Sequence, residues 1–323
     1  MCLVACANGA NDNFKGVATL YGSDTTSYRV ALAWATVATF AGSMAALLLG
    51  WRLVAAFSGS GIVAEELTHD ARFLTAAGLG AGATVLLASL RGLPISTTHA
   101  LLGSLVGAGL IASHGEIRIA SLGRGFVLPL LASPVVALGS SWVLYRSLRR
   151  ARVAFGVGRR RERYLGSVIG YDPKRVLDAL HFVSAGLVSF ARGMNDTPKI
   201  AALLISAHAA GGGVAFPVVA IAMATGGMLG ARRVAETMSL RITSMNRGQA
   251  FTANSVAATW VLLASHFGLP VSTTHVSVGG IVGVGGATGH TRWGTFAQIS
   301  AAWITTVPVA ATLAAAVYAL TGG

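Results

Sequence analysis

Three stretches of this chain, Val30–Trp51, Gly125–Tyr145 and Phe296–Leu320, contain no Asp, Glu, Lys or Arg. Each is close to the length a helix needs to cross the ~30 Å hydrocarbon core of a bilayer. Such runs leave few folds open. In lipid every backbone N–H and C=O must be satisfied within its own helix or within a closed barrel. Barrel strands would read as short alternating segments, which these are not. Phe73–Leu90, Gly92–Ser113, Val214–Ala231, Gly248–Ser265 and Phe267–Gly289 are further candidates. Composition agrees: only 11% of residues are charged and the mean hydropathy is +0.66, against about 25% charged in soluble chains. The 41 glycines suit close helix approach in lipid, where small residues let backbones meet. An all-α polytopic membrane protein in the bilayer is expected.

The net charge is +13, but its distribution argues against a nucleic-acid partner. The densest block, YRSLRRARVAFGVGRRRERY at 145–164, lies between apolar segments. Lys/Arg-rich loops stay on the cytoplasmic side. The expected organisation is a first transmembrane repeat at 1–145, a basic cytoplasmic loop at 146–174 and a second repeat at 175–323, in the cell's inner (plasma) membrane. Arg232, Arg233, Arg241 and Arg247 suggest a second cytoplasmic face, and Glu65, Glu66 and Asp70 a solvated loop. Cys2 and Cys6 form no metal-ligand set. Met1–Ala7 lacks the basic start of a cleavable signal.

The chain repeats itself. GLPISTTHALLG at 92–103 returns as GLPVSTTHVSVG at 268–279, and ANGANDNFKGVATL at 7–20 as ARGMNDTPKIAALL at 191–204. The order is the same in both halves, so an internal duplication is expected, with the inverted topology common in transporters. Each half reads as an Asn-Asp segment (1–21; 175–208), two spanning helices (30–52 and 73–90; 214–232 and 248–266), a Pro-Ser-Thr-Thr-His unit (92–113; 268–289) and a closing helix (122–147; 295–320). Residues 53–71 lack a counterpart. Val176–Ala191 precedes the second Asn-Asp motif, while only Met1–Ala7 precedes the first. Either that first helix is short or the start lies upstream.

Pro94 and Pro270 suit the first turn of a helix. Ser96, Thr97 and Thr98, like Ser272, Thr273 and Thr274, would then stand at a helix N-terminus, beside unpaired backbone N–H groups and the positive end of the dipole. That is a donor-rich setting for an oxyanion; the alternative is simple capping of a kinked helix. Asp12 and Asp196 lie in apolar surroundings, where a carboxylate is costly and marks an ion path. With Asn11, Asn195 and local carbonyls freed beside Gly9 and Gly193 they could hold a hard cation. The alternative is a structural ion pair with Lys15 or Lys199, three residues on. His99 and His275 either meet an anion or a proton or bond within their own hairpins. Thr252, Asn254 and Ser255 line a path or pack. No other metal site, cofactor or catalytic constellation is evident.

The paired Gly-x-Asn-Asp and Pro-x-Ser-Thr-Thr-His motifs resemble those of the inorganic phosphate transporter (PiT) family across most of the chain. The resemblance implies an inverted-repeat fold with two re-entrant helical hairpins, a homodimer, and symport of inorganic phosphate with a cation. By motif, phosphate would lie between Ser96, Thr97, Thr98 and Ser272, Thr273, Thr274, flanked by Asp12 and Asp196. Asn11, Asp12, Asn195 and Asp196 would hold the coupling cation, Na⁺ or H⁺. One departure stands out: Lys15 and Lys199 replace the family's second Asn. Their ammonium groups can stand in for bound Na⁺, which would make transport sodium-independent. A sulfate permease, an enzyme acting on a phosphorylated lipid and a passive channel are the rivals. Phosphate monoanion can donate a hydrogen bond to a carboxylate, and sulfate cannot.

Overall fold

The computed structural model describes residues 1–59, 61–118, 122–154 and 173–322. Described residues outside turns and loops are helical. The helices are α1 (Cys2–Asp12), α2 (Ala18–Gly22), α3 (Tyr28–Leu49), α4 (Trp51–Phe57), α5 (Ala71–Leu90), α6 (Thr97–Ala112), α7 (Leu128–Ala154), α8 (Pro173–Ser206), α9 (Gly212–Gly230), α10 (Arg232–Glu236), α11 (Arg247–His266), α12 (Thr273–Thr288) and α13 (Trp293–Leu320). Among the described residues, 5 helices are long and apolar enough to cross a membrane: Tyr28–Leu49, Ala71–Leu90, Gly125–Ala154, Gly212–Gly230 and Trp293–Leu320.

Two expected boundaries move. The start of the basic loop, 146–154, is helical, because α7 runs on through Arg146, Arg149, Arg150 and Arg152 to Ala154; a helix does not stop where its apolar run stops. Residues 155–172 of that loop lie outside the described residues, and its last two positions, 173 and 174, already belong to α8. Within 53–71, α4 follows α3 as α10 follows α9. This piece therefore has a positional counterpart that its sequence hides.

Packing is paired across the halves. α3 packs on α8 and α1 on α9; α6 packs on α13 and α12 on α7; α5 lies against α1, α6 and α13, and α11 against α8, α12 and α7. Small residues make the closest approaches possible. A Cβ at Gly9 of α1 would stand 1.9 Å from Met223 O of α9, and one at Gly226 of α9 would stand 1.9 Å from Cys6 O of α1. The apolar side chains left outside, such as Leu48, Leu131 and Ile304, suit lipid contact.

α6 and α12 are shorter, at 16 residues each. Each is entered from a non-helical stretch after a left-handed glycine, Gly92 (φ +68) or Gly268 (φ +70), a conformation only glycine adopts cheaply. Pro94 and Pro270 sit in this extended entry, two residues before the N-cap, and not in the first turn. Proline pushes the residue before it out of the helical region, which keeps the entry extended until the serine cap.

Candidate functional site

Ser96 and Ser272 are the N-caps of α6 and α12. Each Oγ accepts the N–H of the histidine three residues on, at 3.2 Å. The plain capping reading therefore holds for the serines. The threonines after them are released for other work, and the second of each pair points at the partner half. Thr98 Oγ1 donates to Val271 O at 3.2 Å, and Thr274 Oγ1 donates to Ile95 O at 2.7 Å. The two helix starts meet in a reciprocal clasp.

The Asn-Asp segments close on this junction. In the first half the helix breaks there: α1 ends at Asp12, and Lys15 N bonds Asp12 O in a tight turn. In the second half α8 continues through Pro198. Asp12 Oδ2 accepts from Asn8 Nδ2 at 2.9 Å and from Thr97 Oγ1 at 3.2 Å. Asp196 Oδ2 accepts from Thr273 Oγ1 at 3.4 Å. Asn11 spans to its neighbours, donating to Ser89 Oγ at 2.9 Å and to Leu93 O at 3.0 Å. Its counterpart Asn195 accepts from Ser265 Oγ at 3.2 Å and donates to Val271 O at 3.3 Å.

Lys15 Nζ is ringed by oxygens. It contacts Asp12 Oδ1 and donates to Asn11 Oδ1 at 2.7 Å, Ile95 O at 2.8 Å and Thr274 Oγ1 at 2.6 Å. Lys199 Nζ repeats the pattern on Val271 O at 2.8 Å, Thr98 Oγ1 at 2.8 Å and Asp196 Oδ1 at 3.4 Å. Asn11, Asp12, Lys15, Ser96, Thr97, Thr98, Asn195, Asp196, Lys199, Ser272, Thr273 and Thr274 are all at most 5% exposed. Both expected aspartate–lysine pairs exist, and each ammonium is surrounded by side-chain and backbone oxygens.

His99 and His275 do not join this group. Their ring centroids lie 4.6 Å apart at a tilt of 45°, and the His275 ring lies 3.9 Å from Trp303 at a tilt of 35°. His275 Nδ1 donates to Leu130 O at 3.3 Å. They border an apolar cavity of about 390 Å³ between α7 and α13. Asn254 reaches inward, donating to Thr19 Oγ1 at 2.8 Å, and Thr19 bonds His181 Nε2 at 3.0 Å. Thr252 only bonds back to Gly248 O at 2.9 Å, and Ser255 to Phe251 O at 2.8 Å; both stay within α11.

Sequence reasoning missed Arg192, which is 2% exposed. Its Nη2 donates to Asn8 Oδ1 at 2.6 Å, and its Nη1 to Thr39 Oγ1 at 3.2 Å and Asn13 Oδ1 at 3.3 Å. Its Nε lies 3.7 Å from Asp196 Oδ2. The signal was present: an arginine four residues before Asp196 in an apolar segment.

Fold and site together define a polytopic helical membrane protein that encloses a polar, charged centre where its two halves meet. The chain belongs to the phosphate transporter family, whose profile matches residues 8–314; this is a family of transporters, not of enzymes. It is 33% identical to the "Probable low-affinity inorganic phosphate transporter" of Rhizobium meliloti (strain 1021), over 96% of this chain and 91% of that one. It is 29% identical to the "Inorganic phosphate transporter 2-1, chloroplastic" of Arabidopsis thaliana, over 95% of this chain and 68% of that protein. A solved structure, "The sodium-dependent phosphate transporter", superposes with a TM-score of 0.83 at 25% identity, covering 99% of this chain and 96% of the other.

Proposed function

We propose that this protein is a secondary active transporter of inorganic phosphate, coupled to a proton and independent of sodium. It works by alternating access around the centre where α6 and α12 meet. The reading takes the two halves as an inverted repeat and α6 and α12 as the inner arms of re-entrant hairpins. The pairwise packing and the mirrored hydrogen bonds support it. Phosphate is held at the helix starts by Thr97, Thr98, Thr273 and Thr274, with Asp12 and Asp196 beside it, and Ser96 and Ser272 set the geometry of the turns. The homodimer and the inner-membrane location belong to the same reading; the family resemblance supports the first and the basic loop the second.

The observation that carries the sodium independence is the oxygen cage around each ammonium. Lys15 Nζ meets Asn11 Oδ1, Asp12 Oδ1, Ile95 O and Thr274 Oγ1. Side-chain and carbonyl oxygens of this kind bind hard cations. In this chain a covalently attached cation fills the place, so an inorganic ion has no room there. The structural neighbour is named sodium-dependent, and the two lysines are the reason this chain differs.

The test is radiolabelled phosphate uptake into proteoliposomes, with Na⁺ and pH gradients imposed separately and sulfate as competitor. Uptake should follow the pH gradient, ignore Na⁺ and resist sulfate. Uptake that needs a Na⁺ gradient and ignores pH would refute the coupling. Equal displacement by sulfate would refute the substrate.

A further inference from the structure

The site is two-fold in nearly every contact, and Arg192 is where the symmetry fails. Arg192 stands 184 residues from Asn8, the same interval that separates Asp196 from Asp12. The two thus occupy equivalent positions, one holding a neutral amide and the other a guanidinium, and they bond to each other at 2.6 Å. Asn8 passes the contact on: its Nδ2 donates to Asp12 Oδ2 at 2.9 Å, to Thr97 Oγ1 at 3.0 Å and to Asp196 Oδ2 at 3.5 Å. The guanidinium is therefore one side chain away from the start of α6 and from Asp12, while its Nε lies 3.7 Å from Asp196 Oδ2.

Its charge is only partly matched: the Asp196 carboxylate that Nε approaches is one that Lys199 also meets. Histidines aside, the buried ionisable side chains among the described residues are Asp12, Asp196, Lys15, Lys199 and Arg192. Three cations therefore face two carboxylates: each lysine lies beside one aspartate, and Arg192 shares Asp196 with Lys199. One positive charge is left over, and a guanidinium does not give up its proton in a protein. A buried charge without a counter-charge is expensive. One donor is in keeping: Arg192 Nε is buried with no hydrogen-bond partner, although Nη1 makes two hydrogen bonds and Nη2 one.

We propose that Arg192 is the fixed counter-charge of the transported anion, with Nε–H donating to one of its oxygens beside Asp196. The inference rests on the reading of this centre as the phosphate site, and it assigns that site an off-axis, single-cation anchor. A singly charged oxyanion completes the balance. One that also carries a proton can donate to the Asp196 carboxylate while accepting from Nε, which a fully deprotonated oxyanion cannot do. Arg192 therefore sets the preference for protonated phosphate over sulfate.

The test is equilibrium binding of inorganic phosphate and of sulfate to the purified full-length protein in detergent, by calorimetry, on folded, monodisperse samples. Arg192→Gln should weaken phosphate binding at least about tenfold, the loss expected for one charge-assisted hydrogen bond. It should also narrow the margin over sulfate. Arg192→Lys keeps the charge and should lose less. The exchange Asn8→Arg with Arg192→Asn puts the cation at the equivalent position and should recover binding relative to Arg192→Gln. If Arg192→Gln does not fold, the lysine variant and the exchange decide. Wild-type affinity in Arg192→Gln overturns the proposal while leaving the phosphate site standing. A lysine variant as weak as the glutamine variant, or an exchange that binds no phosphate, overturns it as well, since shape and not charge would then be what matters. A wild-type protein that binds no phosphate removes the site reading itself.

Discussion

Lys15 Nζ donates to Thr274 Oγ1 at 2.6 Å across 259 residues of chain, and Lys199 Nζ donates to Thr98 Oγ1 at 2.8 Å across 101. Each lysine thus ties the Asn-Asp segment of its own half to the helix start of the other half. A shift of one half against the other must break or carry both links, so under the proposed alternating access this pair of contacts would couple site chemistry to rigid-body movement.

If the ammonium groups replace sodium, shortening them should restore the ion. The double variant Lys15→Asn with Lys199→Asn should lose at least about tenfold in uptake without Na⁺ and regain it as Na⁺ is added. Proteoliposome uptake against Na⁺ concentration checks this. A variant that is inactive at every Na⁺ concentration, yet folded, counts against the replacement idea.

Asp12 and Lys15 should behave as a unit. Asp12→Asn leaves a buried ammonium short of its counter-charge and should cost about 3–5 kcal/mol. Asp12→Asn combined with Lys15→Met removes both charges and should be less destabilised than Asp12→Asn alone. Thermal unfolding of the purified proteins measures the difference. Simple additivity of the two single effects would show that the pair is not coupled.

The clasp between helix starts depends on two hydroxyls. Thr98→Val and Thr274→Val keep the shape but remove the bonds to Val271 O and to Ile95 O, and each takes one oxygen from a lysine cage. Each should lose about 1.5–3 kcal/mol, the range for hydrogen bonds to charged groups, seen as a lower melting temperature and slower uptake. Ser96→Ala should act differently. It removes only the cap on His99 N and should cost about 1 kcal/mol of stability. Equal effects of the serine and threonine changes would contradict the division of labour drawn here.

Close packing of α1 on α9 is equally specific. At Gly9 an added methyl would stand 1.9 Å from Met223 O and 2.8 Å from Gly227 N, both backbone atoms. Gly9→Ala should therefore destabilise by about 1–3 kcal/mol or more. At Gly286 nothing lies within 4 Å, so Gly286→Ala should be neutral or stabilising by up to about 1 kcal/mol. Detergent melting curves of the two variants compare them directly.

Much of this was legible in one dimension. Two of the three uncharged runs, Val30–Trp51 and Phe296–Leu320, matched helices to within three residues, because bilayer thickness sets their length whatever the helices pack against; α7 ran on past Tyr145 to Ala154. The carboxylates stood out because charge in an apolar segment is costly. The proline position was misread for a local reason: a capping serine can start the helix after the proline as well as a proline can start it. Arg192 was overlooked because the chain is rich in arginine, although its place in an apolar segment, four residues before Asp196, sets it apart from the solvated ones.

By itself the sequence determined the helical membrane class, the duplication, and the residue types brought to the centre: two Asn-Asp-x-x-Lys segments and two Ser-Thr-Thr-His turns. These follow from local composition, which a helix expresses without help from distant residues. Only the tertiary structure decided which hydroxyls cap and which face the opposite half, that the histidines meet each other instead of the carboxylates, and that Arg192 stands opposite Asn8 with its Nε unpartnered. Those outcomes depend on how helices far apart in the chain pack, and each helix presents many faces from which packing selects one.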